Sequence, residues 1–331
     1  MAEHYSPSGN FSPSALFLIP FVSALVTVVL SLPYAWAVWR NPLLYLGVLL
    51  PIAWGFVVGS ASGWAAKVGK VRSASLGVLL TLLGILPGFA LQWAFYVAVV
   101  LVSSDAAFDG VSLADKFKIS LTSGVDLLLG HDALPSDMQE IDVEGVLSMG
   151  KSSPTSGVDL LRGHDALVSY MQEINAEGVW SVGKSSPTVI KGVPLLLVWI
   201  AEFLVFVVTA AIRVLSQVKK PFNEDFAEWY ERVPLPKTLV LPEDPTDLLV
   251  RSRSDEYSYL FTAPRETDVR NSHLKAELHY LQEAPDNYLT VQMVTVKKKK
   301  SVKATLIDRL AIPKLQADRL IARLGPDAPE F

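Results

Sequence analysis

Polar and apolar residues are segregated along this chain by segment. Four stretches, Ala15–Trp39, Leu43–Ala66, Ala74–Val102 and Val193–Ile212, run for 20 or more residues almost without charge. A helix rises 1.5 Å per residue, so some 20 apolar residues cross the ~30 Å hydrocarbon core of a bilayer. The pattern predicts four transmembrane helices packed as a helical bundle. From Val214 onward it is that of a soluble domain. Leu274, Ala276, Leu278 and Tyr280 alternate with Lys275, Glu277 and His279, which predicts a strand with one buried face. Ala284 to Asn287 reads as a turn, Leu289, Val291 and Met293 as a second strand, and Val302 to Ile307 as a third. Pro313 opens a helix with Leu315, Leu320, Ile321 and Leu324 on one side, and Gly325 ends it. Phe222 to Tyr230 reads as a short amphipathic helix, and the proline-punctuated stretch after it as irregular chain.

The expected fold class is therefore membrane all-α, with four transmembrane helices, an extramembrane repeat-containing loop and a small C-terminal α+β soluble domain. The expected boundaries are 1–103 for three spans (15–39, 43–66 and 74–102), 104–190 for the loop, 191–213 for the fourth span and 214–331 for the tail. The first 14 residues hold no Lys or Arg and the first apolar run is about twice the length of a signal-peptide core, so it reads as a permanent span.

The loop contains a tandem duplication of 33 residues, 123–155 and 156–188, whose copies differ at 7 positions. Two copies are too few for a self-supporting solenoid, and such near identity reads as recent duplication of one segment. In the second copy Leu167, Tyr170, Met171 and Ile174 form an apolar stripe at helical spacing, Gly178 ends the helix, and Val179–Val182 is extended. Asp137 and Leu147 replace Tyr170 and Trp180 in the first copy, so the second is expected to pack better.

Charge sets the expected orientation. Lys67, Lys70 and Arg72 lie between the second and third spans, and Arg213, Lys219 and Lys220 follow the fourth, whereas Arg40 stands alone between the first and second. Basic residues mark cytoplasmic loops, so both ends of the chain are expected in the cytoplasm. The segment from Ser104 to Ile190 holds 13 acidic and 5 basic residues and falls on the outer side. A bacterial inner membrane is the expected location.

Gly55, Gly59 and Gly63 recur every fourth residue in the second span, and Gly84 and Gly88 in the third. Such stripes admit close helix packing, within the chain or between copies. Glu202 lies within the fourth apolar run. An ionisable group at membrane depth is a functional candidate by default, so Glu202 is the expected ligand- or ion-binding residue, with Gln92 of the third span as partner and Thr209, seven residues on, sharing its face.

Other chemistry is thin. There is no cysteine, which excludes disulfides and thiolate sites. Gly-Lys-Ser-Ser lacks the earlier Gly of a phosphate loop. His131-Asp132 and His164-Asp165 would form a metal pair only if the copies stacked, and no other ligand spacing supports it. His273 and His279 lie ~20 Å apart along one strand and cannot share an ion. The Lys297–Lys300 run reads as a solvated hairpin tip. No catalytic set, metal or cofactor is expected, and no nucleic-acid partner, because the tail is neutral overall and no aromatics interleave with its lysines. The expected partners are the lipid bilayer and a protein partner or second copy. The leading expectation is a multi-pass membrane protein of interaction or structural type. The alternative is a small transporter or channel subunit that uses Glu202 as a proton- or cation-linked group.

Overall fold

The structure is a computed structural model that describes residues 4–40, 44–104, 111–129, 164–178, 180–182, 188–239, 272–297 and 300–325. The chain divides into two units, Phe11–Val218 and Met1–Asn10 with Lys219–Phe331. Seven helices are described.

In the first unit, α1 (Ala15–Trp39), α2 (Leu44–Val68), α3 (Ala74–Ser104) and α6 (Val193–Val218) are, among the described residues, the four helices long and apolar enough to cross a membrane. The last continues past Ile212 to Val218. α1 packs mainly on α3 and α2 mainly on α6, with α1–α2 and α3–α6 contacts closing a ring of four. Successive spans run in opposite directions. The end of the bundle where α1 finishes and α6 begins is therefore the end from which residues 104–192 depart.

The bundle buries several hydroxyls within its apolar interior and exposes large apolar side chains on its outside. Ser23, Thr27 and Ser31 of α1 are fully buried, whereas Phe17 is 81% exposed and Phe21 66%. Ser23 and Ser62 of α2 meet at 2.8 Å between their hydroxyls, and Thr27 Oγ1 donates to the carbonyl of Ser23. On α6 an apolar stripe of Leu197, Ile200, Leu204, Val208 and Ile212 faces outward along the whole helix. A hydrocarbon surrounding makes both arrangements favourable. It solvates outward apolar side chains, and it leaves hydroxyls to bond to their own helix backbone or to a neighbour.

Two helices of the intervening segment also belong to this unit. α4 (Leu113–Leu129) packs along α3, with the buried Ser120, Ser123 and Gly124 on its inner side and Gly124 against Phe95. α5 (His164–Glu177) lies in the second copy of the duplication and contributes Ile174 to an apolar cluster with Phe95, Tyr96 and Val99. Gly178 follows it at φ +84°, and its amide closes the last turn on the carbonyl of Ile174. Burial, with the neighbouring Glu173 adding to it, pushes the Tyr170 phenol up to about 12. β1 (Trp180–Val182) and β2 (Thr188–Ile190) then form an antiparallel hairpin leading into α6. Of the first copy, residues 130–155 lie outside the described residues, as do residues 183–187 of the second.

The second unit is a four-stranded antiparallel sheet in the order β5 (Glu231–Leu239), β6 (Ser272–Tyr280), β7 (Asp286–Lys297) and β8 (Lys300–Pro313), with α7 (Lys314–Leu324) on one face. Leu274, Leu278, Leu289, Ile307 and Leu320 are central to its core. The three strands read from alternation are β6, β7 and β8, and the helix after Pro313 is α7. The segment from Phe222 to Tyr230 is not a helix. It is a small hairpin of β3 (Phe222–Asn223) and β4 (Glu228–Trp229). Asn223 Oδ1 accepts the Phe226 amide, and Ala227 takes φ +54°, so local side-chain bonding closes a turn where a helix would begin. β5 contains Pro234 and Pro236, which made it read as irregular chain. It is an edge strand, where a residue without an amide proton leaves no interior ladder bond unmade. Lys297 pairs with Lys300 across the β7–β8 turn. Lys298 and Lys299 lie outside the described residues.

Residues 4–10 fold with the tail. His4 bridges to Leu310, the Tyr5 amide donates to the carbonyl of Arg309, and the Tyr5 and Tyr288 rings meet edge to face at 5.2 Å. Nothing in the first ten residues announces this. It places both flanks of the four-helix bundle in one folded unit.

Candidate functional site

Glu202 lies nine residues into α6, about 14 Å from the start of the helix at 1.5 Å per residue. One helical turn to either side places Trp199 and Phe206 on its face. The three line a small cavity of about 20 Å³, room for a single water-sized group, that α1, α2, α3 and α6 enclose. α1 contributes Tyr34, α2 Trp54, and α3 Gln92, Trp93 and Tyr96. The cleft occupies the half of the bundle toward which α1, α3 and the start of α6 point.

Its walls are aromatic. Trp54 is sandwiched between Tyr34 and Phe206 at centroid distances of 4.3 and 4.4 Å, so that one stack crosses α1, α2 and α6. On the other side Trp93 meets Trp199 at 4.8 Å and Tyr96 at 6.0 Å, both edge to face. Close helix approach makes the stacks possible. At Gly55 an added methyl group would lie 2.5 Å from the carbonyl oxygen of Phe206, so only glycine lets α2 come near enough for Trp54 to reach the Phe206 ring.

Charge and hydrogen bonding in the cleft are unbalanced. Glu202 is the only carboxyl group among the described lining residues, and no Lys, Arg or His is among them. Glu202 Oε1 is buried without a hydrogen-bond partner, and Trp54 Nε1 is likewise buried and unpartnered. A buried acceptor and a buried donor left open in the same wall favour something that enters and satisfies them.

Of the residues singled out from sequence, the structure brings Glu202 and Gln92 to one cleft. Thr209 stays outside it: its hydroxyl donates to Val205 of its own helix, and its Cβ lies against Gly55. Arg213, on the same face, donates from Nε to Ser60 Oγ at 3.2 Å and covers the Phe56 ring. It makes no pair with Glu202. Gly55, Gly59 and Gly63 face α6 of the same chain, and Gly84 and Gly88 face α1. Tyr34, whose place near a span end suggests the interfacial aromatic belt, is instead part of the cleft wall.

Sequence reasoning missed the aromatic walls, although a signal was present: Trp199 and Phe206 flank Glu202 at helical spacing, and Trp93 and Tyr96 follow Gln92 by one and four positions. No group of three or more His, Asp or Glu able to hold a metal occurs among the described residues. His131 and Asp132 lie outside them. Comparison with known proteins gives no match to a family model, a curated protein or a solved structure.

Proposed function

We propose that this chain is a multi-pass membrane protein whose bundle carries a cation-linked ligand site at Glu202, as in a small transporter or transport subunit. The observation that carries the reading is the small, aromatic-walled cavity in which a carboxyl group has no basic neighbour among the described lining residues and no hydrogen-bond partner for Oε1. A carboxylate that served only to glue helices together would be spent on an interhelical bond. This one keeps Oε1 buried and unpartnered beside a small cavity, which supports a role beyond packing. Four helices of membrane-spanning length with outward apolar faces support the setting. The basic residues after α2 and α6, together with the folding of residues 4–10 into the tail, support both flanks lying in the cytoplasm, with the cleft in the outer half of the bundle.

The test is Glu202→Gln in reconstituted vesicles. Proton- or cation-driven flux is expected to be lost, while the variant keeps the wild-type elution volume and melting profile in detergent. Unchanged flux together with altered assembly would return weight to the interaction or structural role, in which Glu202 packs and a protein partner is the object of the chain.

A further inference from the structure

A second ionisable group lies within the spans and takes no part in the Glu202 cavity. Arg213 of α6 faces α2, and its Cβ lies 2.9 Å from where a methyl group on Gly59 would sit. From there the side chain turns back toward the start of its helix, the direction in which helical side chains lean. Its guanidinium carbon rests 4.4 Å from the centre of the Phe56 ring, nearly one turn deeper in α2 than Gly59. Nε donates to Ser60 Oγ at 3.2 Å, and Ser60 Oγ donates in turn to the carbonyl of Phe56 at 2.6 Å. Ser60 and Phe56 stand seven and eleven residues before Lys67, the basic residue in the last turn of α2. At 1.5 Å per residue the guanidinium therefore lies roughly 10–16 Å inside the level of Lys67, up to about half of a ~30 Å hydrocarbon core.

The groove is open and its cation is unmatched. Phe56 is 49% exposed, and Ser60 and Arg213 are half-buried. Among the described residues no carboxylate pairs with Arg213, and its bonds are the one to Ser60 and the contact with the Phe56 ring. Its two Nη groups are not among the buried unpartnered atoms, so they face the surroundings of the bundle. An arginine stays charged at every ordinary pH, and a charge at this depth is costly unless it meets a counter-charge. A snorkelling arginine would reach toward Lys67, whereas this one is held in the opposite direction. We infer that the groove between α2 and α6 binds one phospholipid with an anionic phosphate headgroup at Arg213. The inference takes the bilayer setting from the reading above and is independent of the role of Glu202.

Phosphate fits the geometry. A planar guanidinium presents paired N–H groups that match two phosphate oxygens, and the Nη edge is the one left open here. Polar groups continue from Arg213 to the end of the bundle where α2 and α6 finish. Lys67 is exposed and lies two turns beyond Ser60 on the same face of α2, and Ser216 is exposed one turn beyond Arg213. A headgroup drawn inward between them keeps polar contacts along its way, and Lys67 adds a second positive charge at the rim. The outward Phe56 of α2 and Ile212 of α6 give acyl chains an apolar wall. A free phosphate ion has the same head but no chains, so it would give up its hydration without any apolar contact in return. The lipid is thus the favoured source of the phosphate.

Native mass spectrometry of the full-length protein, released from detergent, tests this with phosphatidylglycerol, phosphatidylcholine of the same chains, and inorganic phosphate. One phosphatidylglycerol per chain is expected, held about ten-fold more tightly than phosphatidylcholine, with no inorganic phosphate retained at the same concentration. Arg213→Gln should weaken phosphatidylglycerol binding about ten-fold or more. Arg213→Lys, which keeps the charge without the fork, should fall between. Arg40→Gln, at the opposite end of the bundle, should bind as the wild type does. A second measurement needs no variant: phosphatidylglycerol with a photoreactive group beside its acyl carbonyl should label α2 and α6 peptides that contain Ser60 and Arg213. Equal retention of the two lipids, undiminished binding in Arg213→Gln, or labelling confined to other helices overturns the assignment. Retained inorganic phosphate overturns the lipid as its source. A two-chain mass that Arg213→Gln abolishes gives the groove to a second copy and overturns it as well. If the lipid site fails while Glu202-dependent flux persists, the transport reading stands. Release of the protein from membranes by alkaline carbonate would remove the bilayer setting, and both would fail.

Discussion

At Gly59 of α2, an added methyl group would sit 2.6 Å from both the Cα and the carbonyl oxygen of Ala210 on α6. The obstacle is backbone, which no rotamer change relieves. Gly63, one turn on, is different: its nearest neighbour at the same point is 3.6 Å away, an ordinary contact. Gly59→Ala is expected to destabilise the bundle by about 1–3 kcal/mol or more, and Gly63→Ala to be nearly neutral. Thermal melts of the two variants in detergent check the ordering. Equal sensitivity at the two positions, with a change in oligomeric state, would mean the stripe serves a second copy of the chain instead.

α4 carries Phe117, Leu121 and Val125 outward at four-residue spacing, with Ser120, Ser123 and Gly124 turned inward. Its inner contact, Phe95, lies within the span window of α3, and Phe117 stacks on Trp36 near the end of α1. The outward stripe is thus predicted to meet acyl chains. A cysteine at Leu121 in nanodiscs should be quenched by lipid-borne spin labels and shielded from water-soluble maleimide. Rapid maleimide labelling would place α4 in water.

His279 responds to pH in a predictable direction. Burial, chiefly, holds its imidazolium below the ordinary histidine range, and nearby Arg309 and Arg232 add to this against the opposing Glu277. Its folded pKa is lower than its unfolded value of ~6.5. The unfolded chain therefore takes up the proton first, and stability present above that value is lost as pH falls toward the folded pKa. Hydrogen-exchange protection in β6 and β7 of the full-length protein, taken relative to the intrinsic exchange rate at each pH, should fall between pH 7 and the folded pKa. In His279→Gln that pH dependence should flatten. Unchanged protection across this range in the wild type would refute the assignment.

Tyr280 anchors α7 to the sheet. Its hydroxyl donates to Asp318 Oδ1 at 2.7 Å, and its phenol is pushed up to about 12, with desolvation the leading cause and Asp318 next. Tyr280→Phe removes the bond at a half-buried site and is expected to lower tail-domain stability by about 1 kcal/mol. Chemical denaturation followed by Trp229 fluorescence measures it, and an unchanged midpoint would show that the bond is replaced by water at no loss.

Residues 4–10 complete the β8 edge through His4 and Tyr5. Tyr5→Ala removes the ring contact to Tyr288 and the phenol that accepts the Phe222 amide at 3.2 Å. It should make the Tyr288 phenol, pushed up to about 12 chiefly by burial, titrate nearer the ordinary tyrosine value. Ultraviolet titration of the difference spectrum reads this out.

The sequence by itself determined the elements whose signal is local. Twenty or more apolar residues without charge leave a helix as the only way to satisfy the backbone in hydrocarbon, and α1, α2, α3 and α6 follow from that. Alternation from Leu274 to Tyr280 and the Pro313–Gly325 bracket likewise carried β6 and α7. Tertiary structure alone decided the rest. Whether Pro234 and Pro236 break a strand depends on whether that strand is an edge. Whether Phe222–Tyr230 becomes helix or hairpin depends on the turn that Asn223 closes. Most of all, Glu202 was visible as a lone charge, but its surroundings were not. Tyr34, Trp54 and Trp93 reach it only because α1 packs on α3 and α2 on α6, and that pairing is written in the fit of Gly55 to Phe206, about 150 residues apart in the chain, rather than in any local pattern.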